Sequence, residues 1–225
     1  MDTAISFTHF GFSAIGLVAL LLVALVFSSY VKIVTVLGIL RAGLGVASLP
    51  SALVTTGLAF ALSFFVMLPT LRESAKVVDS YQNAKGTIRT DSARVQALAL
   101  AFAKWKAFLL RHSHLEQRQR FAELARQIDQ RKISKSKGSA TIVDSKSWRV
   151  LAPAFLVSEL KEAFATGLSL FLPFLIIDLL VMNVLAAVGL DRMSSASVAF
   201  PFKLLLFVMV DGWGLITANL VQTYA

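Results

Sequence analysis

The chain has 225 residues, of which 56% are hydrophobic and 16% charged, and its mean hydropathy is +0.72. Soluble globular domains carry about 25% charged residues, so this composition excludes an ordinary soluble domain. Cysteine is absent, which excludes disulfides, thiol nucleophiles and cysteine-based zinc or iron–sulfur sites.

The net charge of +9 is concentrated in one segment. Residues 72–150 hold 17 of the 22 Lys and Arg residues and 7 of the 13 Asp and Glu residues, so the rest of the chain is close to neutral. Three units follow: an N-terminal helical hairpin (1–71), a basic soluble helical segment (72–150) and a C-terminal helical hairpin (151–225). Because the basic residues are confined to one unit, anionic lipid or a partner protein is favoured over nucleic acid.

The first unit predicts two apolar helices. Phe10–Tyr30 is uncharged and long enough to cross a bilayer. It lacks a positively charged start and exceeds the apolar core of a signal peptide, so we expect it to be retained. A second helix is predicted at Ser51–Leu68, because Pro50 suits a helix start and Pro69 a stop. Lys32 then lies in the connecting loop.

The other two units complete an all-α fold. Apolar residues recur at steps of three and four from Ser92 to Ile133, which predicts one long helix, and Ser134–Ser147 reads as a loop. Two further apolar helices are predicted at Ala154–Gly189 and Phe200–Val221. The predicted fold is therefore four long membrane-inserted helices, with a basic helical segment between the second and the third.

Charge alone leaves several matters open. The middle segment spans 79 residues, more than the about 60 over which the positive-inside rule holds, so the rule does not decide the orientation.

Glu159, Lys161 and Glu162 are expected to form a solvated first turn of the third apolar helix, because acidic side chains near a helix N-terminus interact favourably with its dipole.

Polar residues in the C-terminal hairpin argue against a simple membrane helix. Lys203 and Asp211 together cost about 6 kcal/mol at the bilayer centre, roughly the gain from the eleven Leu, Ile, Phe and Val residues of Pro201–Val221. With the turn centred near residues 190 and 191, Asp178 lies level with Lys203, and we predict an ion pair. The pair serves either the structure or a proton relay.

Asp211 has no such local partner. It is predicted to face a protein interface or a water-filled path, or else to bond the helix start at Gly212. An alternative function uses all three residues: a small ion or proton transporter based on Asp178, Lys203 and Asp211.

The sequence lacks a Gly-rich phosphate loop and a Ser-His-Asp arrangement. His112 and His114 are two residues apart and lie on different helix faces, which disfavours a metal site. We therefore predict no catalytic residue, metal or cofactor, and no enzyme. A third possibility is a basic scaffold that binds anionic lipid through residues 92–132.

Two C-terminal runs are long and specific: PAFLVSELKEAFATGLSLFLPFLIIDLLVMNVLAAVGL (Pro153–Leu190) and FPFKLLLFVMVDGWGLI (Phe200–Ile216). They resemble the FliP/SctR family, the R subunit of the type III secretion export gate. A weaker match covers LRAGLG, Pro50 and GLAFALSFFVM within residues 40–67. About half of the chain carries the resemblance, and the missing cleavable signal peptide favours the injectisome branch over the flagellar one.

The resemblance implies an export-gate subunit that passes unfolded, secreted polypeptides out of the cytoplasm. It implies a homo-oligomer, a pentamer in that family, together with S and T subunits and other membrane proteins of the export apparatus. It also implies a multi-pass protein of the bacterial inner membrane, with residues 72–150 in the periplasm and the gate projecting to that side.

The turn between the last two helices contributes a methionine-rich gasket in that family. The corresponding candidate gate loop here consists of Leu190, Asp191, Arg192 and Met193. Flexible methionines seal around varied side chains, so a loop with one methionine and two charges departs from the family pattern.

Overall fold

The computed structural model describes residues 18, 22–45, 51–85, 91–133, 144–190 and 192–224, and every regular element within them is helical. The all-α prediction is confirmed for these residues. Residues 22–26 form a short helical stretch. The longer helices are α1 (Tyr30–Leu44), α2 (Ala52–Lys85), α3 (Asp91–His112), α4 (Leu115–Ile133), α5 (Trp148–Ala187), α6 (Ser195–Met209) and α7 (Gly212–Gln222).

The 40-residue helix α5 organises the others. Helices α1, α3, α4 and α6 all pack against it, and α2 packs against α1 and α3. The main core is built from α1 and α5 together with residues of α2, α6 and α7. Its buried side chains include Ile33, Val36, Leu37, Leu40, Ala163, Phe174, Phe207, Ile216 and Leu220.

The stretch around Lys32 is the core helix α1, so the predicted loop was wrong. Lys32 suggested a water-facing connection, but its side chain is only 1% exposed because it is paired inside the protein. A paired cation does not prevent burial, and the neighbouring residues are apolar enough to fill the core. The predicted helix Phe10–Tyr30 lies mostly outside the described residues, and a turn at 27–29 precedes α1.

Two proline boundaries were wrong, whereas the helix start predicted after Pro50 agrees with α2, which begins at Ala52. Helix α2 continues through Pro69 to Lys85, and α5 begins at Trp148, ahead of Pro153. An interior proline removes one hydrogen bond and costs about 3 kcal/mol. Each residue added on either side contributes a further helical hydrogen bond, so a long helix can absorb that loss.

The helix predicted at Ser92–Ile133 is two helices, broken at Ser113 and His114. The backbone N–H of His114 donates to Ser158 Oγ of α5 at 2.9 Å, and Ser113 Oγ donates to the carbonyl of Leu110. The backbone N–H that the break leaves without a helical partner is therefore satisfied by a side chain 44 residues further along the chain. Periodicity within the segment cannot reveal such a partner. Of the predicted loop after α4, residues 134–143 lie outside the described ranges.

The predicted last helix, Phe200–Val221, is bent by 61° between α6 and α7. Asp211 lies at the bend with a φ of 50°, a backbone conformation that Asp tolerates better than most residues. Its carboxylate accepts a hydrogen bond from the N–H of Gly214 at 3.3 Å. Asp211 thus caps α7, which was one of the two roles considered for it, whereas the bend itself was not predicted.

Within the described residues, two helices are long and apolar enough to cross a membrane: residues Ala52–Lys76 of α2 and the whole of α5. The bent pair α6–α7 adds a third if it counts as one span. These helices expose much of their apolar surface in the single chain, which calls for cover by lipid or protein. The exposed side chains include Phe60, Phe64, Phe65, Leu172, Ile176, Leu180, Leu205, Val208 and Met209.

Gly167→Ala tests the close approach of α5 to α1. An added Cβ would lie 2.4 Å from Cδ1 and 3.1 Å from Cβ of Ile39, and the latter cannot move without α1. We expect a loss of about 1–3 kcal/mol in the free energy of unfolding, measured by denaturation in detergent. The control is Gly38→Ala, whose added Cβ meets nothing within 4 Å and should stabilise α1 by up to about 1 kcal/mol. Equal effects of the two changes would contradict this packing.

Candidate functional site

The ion pair predicted within the C-terminal hairpin is present. Nζ of Lys203 lies 2.6 Å from Oδ2 of Asp178 and donates a second hydrogen bond, of 2.9 Å, to the carbonyl of Gly43. The Lys203 side chain is 1% exposed and that of Asp178 34%. The buried ammonium group therefore joins α1, α5 and α6.

The C-terminal end of α1 is shaped to receive this ammonium group. Carbonyl oxygens in the last turn of a helix lack helical partners and lie at the negative end of its dipole, so they favour a cation. Gly45 ends α1 in a left-handed conformation, with a φ of 78° that glycine adopts without strain. A Cβ at Gly45 would lie 3.2 Å from the ammonium nitrogen. The Lys203 ammonium group is thus bound by the Asp178 carboxylate and by the carbonyl end of α1, and Gly45 has no side chain to obstruct it.

The third predicted residue, Asp211, is separate from this pair. It is exposed at the bend between α6 and α7, where it caps α7. Asp211 was expected either to face a protein interface or water-filled path or to bond the helix start, and the structure shows the bond to the helix start.

The candidate gate loop follows Gly189, which ends α5 with a φ of 76°. Leu190, Arg192 and Met193 are exposed, and Asp191 lies outside the described residues. The N–H of Leu190 donates to the carbonyl of Leu185 at 2.8 Å, and that of Met193 to the carbonyl of Leu190 at 3.0 Å. The loop is a hydrogen-bonded turn that presents one methionine and one leucine at the surface.

A second buried polar cluster was missed in the sequence. Lys32 forms an ion pair with Glu162, which also hydrogen-bonds Nε2 of His114 at 2.5 Å. Glu159 is 1% exposed. The predicted solvated first turn was wrong for the two glutamates, because α5 begins at Trp148 and places Glu159 and Glu162 well inside the helix and against α1, whereas Lys161 is exposed.

The residue that follows α7 by two positions, Tyr224, closes this second cluster. The hydroxyl of Tyr224 donates to Oε2 of Glu159, and Nζ of Lys32 lies 4.9 Å from the centre of the Tyr224 ring. The ring of His112 lies 5.0 Å away, centre to centre, and that of Phe108 stacks at 6.1 Å. We name the group of Lys32, His112, Glu159, Glu162 and Tyr224 the tail cluster.

Two groups of the tail cluster that lie outside the candidate membrane spans have shifted pKa values. Burial, with the positive charges of Arg111 and Lys32, lowers the pKa of His112 from 6.5 to about 4, so the ring is neutral at pH 7. Burial and the neighbouring Glu159 carboxylate raise the pKa of Tyr224 well above its usual range, so its hydroxyl remains a donor. Among the described residues, no group of three acidic or histidine side chains is placed to hold a metal ion.

Comparison with known proteins gives a consistent picture. The family model described as the FliP family matches residues 12–220. The pathogenicity-related ORF2 protein of Xanthomonas campestris pv. glycines is 41% identical over 202 residues, 89% of each chain. The hypersensitivity response secretion protein HrcR of Ralstonia nicotianae is 38% identical over 94% of each chain. The Yop proteins translocation protein R of Yersinia pestis is 34% identical over 90% of this chain and 89% of its own.

Removing one partner of the hairpin pair tests its contribution to stability. Asp178→Asn leaves the buried ammonium group of Lys203 with neutral partners, and we expect a loss of about 3–5 kcal/mol in unfolding free energy in detergent. The double change Asp178→Leu with Lys203→Met removes both charges and should recover most of that loss. As a control, Lys104→Met breaks an exposed pair with Glu73 and should cost less than about 1 kcal/mol. A mild effect of Asp178→Asn would contradict the assigned role.

Proposed function

The chain belongs to the FliP family, and from that premise we propose that it is a core subunit of the export gate of a type III secretion system. In this role it forms part of an oligomeric conduit through which unfolded proteins cross the bacterial inner membrane. The observation that carries the proposal is the family match over residues 12–220. That range includes α5, α6, most of α7 and the Asp178–Lys203 pair. The relatives named for hypersensitivity response secretion and Yop protein translocation support the injectisome branch.

The surface of the chain supports assembly with other subunits. Helices α5 and α6 expose apolar side chains along much of their length, while Lys203 of α6 is buried in its ion pair. Such a surface is stable only when it is covered, and the polar residues of the hairpin make lipid a poor cover for all of it. We propose that copies of this chain, five by family resemblance, and the S and T subunits supply most of that cover.

The candidate gate loop is proposed to lie where the copies converge. Leu190 and Met193 are about half exposed in the single chain and would form the apolar part of the constriction. A methionine adapts its shape to passing side chains at small cost. Asp191 and Arg192 would pair with each other or turn away from the path.

The proposed location is the inner membrane, in a multi-pass arrangement. The two candidate spans, the bent pair α6–α7 and the apolar residues 10–30 would provide four inserted helices. The basic segment 72–150 is proposed to lie in the periplasm, and the assembled gate to project to the same side. Other membrane proteins of the export apparatus would surround it.

Deleting the gene for this chain tests the proposed function. We expect export of every substrate of the type III system to stop, because the conduit would lack a core subunit, while general secretion continues. Immunoblots of culture medium and cell pellets measure both, and the intact gene supplied in trans should restore export. Continued export without the chain would refute the proposal, and ion flux by the purified chain alone in liposomes would favour the transporter instead.

Met193→Cys tests the position of the gate loop. The native chain has no cysteine, so a disulfide between two copies of this chain must form between introduced residues. If the loops of several copies meet around one axis, mild oxidation of membranes should link Met193→Cys chains into dimers on non-reducing gels. Gln130→Cys, exposed on α4, is the control and should stay monomeric. Dimers from Gln130→Cys but not from Met193→Cys would place the subunit contacts elsewhere.

A further inference from the structure

Helix α6 is held in place by a narrow buried stripe. Its buried residues are Ala199, Lys203 and Phe207, which follow one another at steps of four along one helix face. Lys203 lies in the middle of this stripe and provides both the ion pair with α5 and the hydrogen bond to α1. Because the candidate gate loop leads directly into α6, the groups that hold Lys203 also help to set the position of the loop.

The carbonyl group of Gly43 that receives Lys203 is held close to α5. A Cβ at Gly43 would lie 2.9 Å from Cδ2 of Phe174 and 3.1 Å from Cδ2 of Phe171, so the end of α1 lies directly against these two rings. Phe174 also packs against Phe207 of α6, with 6.4 Å between the ring centres. The acceptor for the ammonium group is therefore fixed where α1, α5 and α6 meet.

Gly45 keeps this end of α1 open. Its N–H donates to the carbonyl of Ala42 at 3.1 Å and closes the last turn in the left-handed conformation. A residue with a Cβ is strained in that conformation, because the Cβ approaches a neighbouring carbonyl oxygen. The same Cβ would lie 3.2 Å from the Lys203 ammonium nitrogen. A side chain at position 45 therefore disturbs both the helix end and the cation bound to it.

We propose that Gly45 is a positioning residue for the candidate gate loop and acts on the loop through Lys203. The glycine lets the end of α1 bind the ammonium group, the bound ammonium group fixes α6, and α6 fixes the loop that precedes it. The Asp178 carboxylate neutralises the charge, whereas the end of α1 sets where the lysine lies along α1. The step from α6 to the loop rests on the proposed function, and the step from Gly45 to Lys203 does not.

Gly189 provides a matched control within the same chain. It ends α5 in the same left-handed conformation, with a φ of 76° against 78° for Gly45. A Cβ at Gly189 would meet nothing within 4 Å. Gly189→Ala therefore introduces the same backbone strain away from the ammonium group, and the difference between Gly189→Ala and Gly45→Ala isolates the effect on Lys203.

Covalent acetylation of lysine amines in the purified full chain in detergent tests the first step, with mass spectrometry measuring the rate at each lysine. Lys203 and Lys32 are each 1% exposed and should react slowly, whereas Lys104 is 45% exposed and should react fast. Gly45→Ala should raise the rate at Lys203 about five- to thirtyfold, the factor that left-handed strain at one residue allows. Lys32 should stay protected in that variant, and both buried lysines should stay protected in Gly189→Ala.

Gly45→Asn keeps the test decisive if Gly45→Ala fails to fold. Asparagine adopts the left-handed conformation more readily than alanine but still places a Cβ beside the ammonium group. Its rate at Lys203 should lie between those of the native chain and of Gly45→Ala. The first step is overturned if Lys203 stays as protected as Lys32 in both Gly45 variants, if Lys32 becomes exposed together with Lys203 in both, or if Gly189→Ala exposes Lys203 equally.

Cross-linking of the gate loop tests the second step. Gly45→Ala combined with Met193→Cys should reduce the yield of disulfide-linked dimers in membranes, whereas Gly38→Ala, whose Cβ on α1 is unobstructed, should leave the yield unchanged. An unchanged yield with Gly45→Ala overturns the step to the loop even if Lys203 is exposed. If Met193→Cys alone gives no dimers, the proposed meeting of the loops fails, while the acetylation rates still decide whether Gly45 positions Lys203.

Discussion

Two lysines buried in an apolar helical core, each neutralised by a carboxylate of α5, are the interaction on which this structure depends. Lys32 of α1 pairs with Glu162, and Lys203 of α6 pairs with Asp178. An unpaired ammonium group in such a place would cost several kcal/mol, so the positions of α1 and α6 are tied to those of the carboxylates. The two carboxylates are separated by about 24 Å along α5, taking 1.5 Å per residue. Helix α5 thus fixes the positions of α1 and α6 through these two ion pairs.

The distribution of polar and apolar groups is unlike that of a soluble protein. Two ion pairs lie inside, between helices, whereas many apolar side chains of α2, α5 and α6 face outwards. The inner pairs hold each helix in register, and the outer surface needs cover from lipid or from other subunits. This combination suits a subunit that is inserted as a membrane protein and completed by assembly, as we propose for this member of the FliP family.

The accuracy of the sequence predictions depended on how far apart the interacting residues lie. Asp178 and Lys203 are 25 residues apart across a short turn, so counting from that turn was enough to pair them. Lys32 and Glu162 are 130 residues apart, and no local count relates them. One signal was available: Lys32 is a lone charge in an apolar stretch, and Glu162 a charge near the start of another. Because a charge buried in an apolar core needs a partner of opposite sign, two such residues are expected to pair.

The sequence by itself determined the helical fold, the division into apolar and basic segments, the hairpin pair and the family, because all of these rest on composition, periodicity or short separations along the chain. Only the tertiary structure decided that residues 30–44 form a core helix, that the basic segment breaks at His114 and that Tyr224 is held by Glu159. Each of these depends on a donor or a charge finding its partner on a distant helix. Such partners become neighbours only after the helices have packed, and local preferences along the chain carry no information about them.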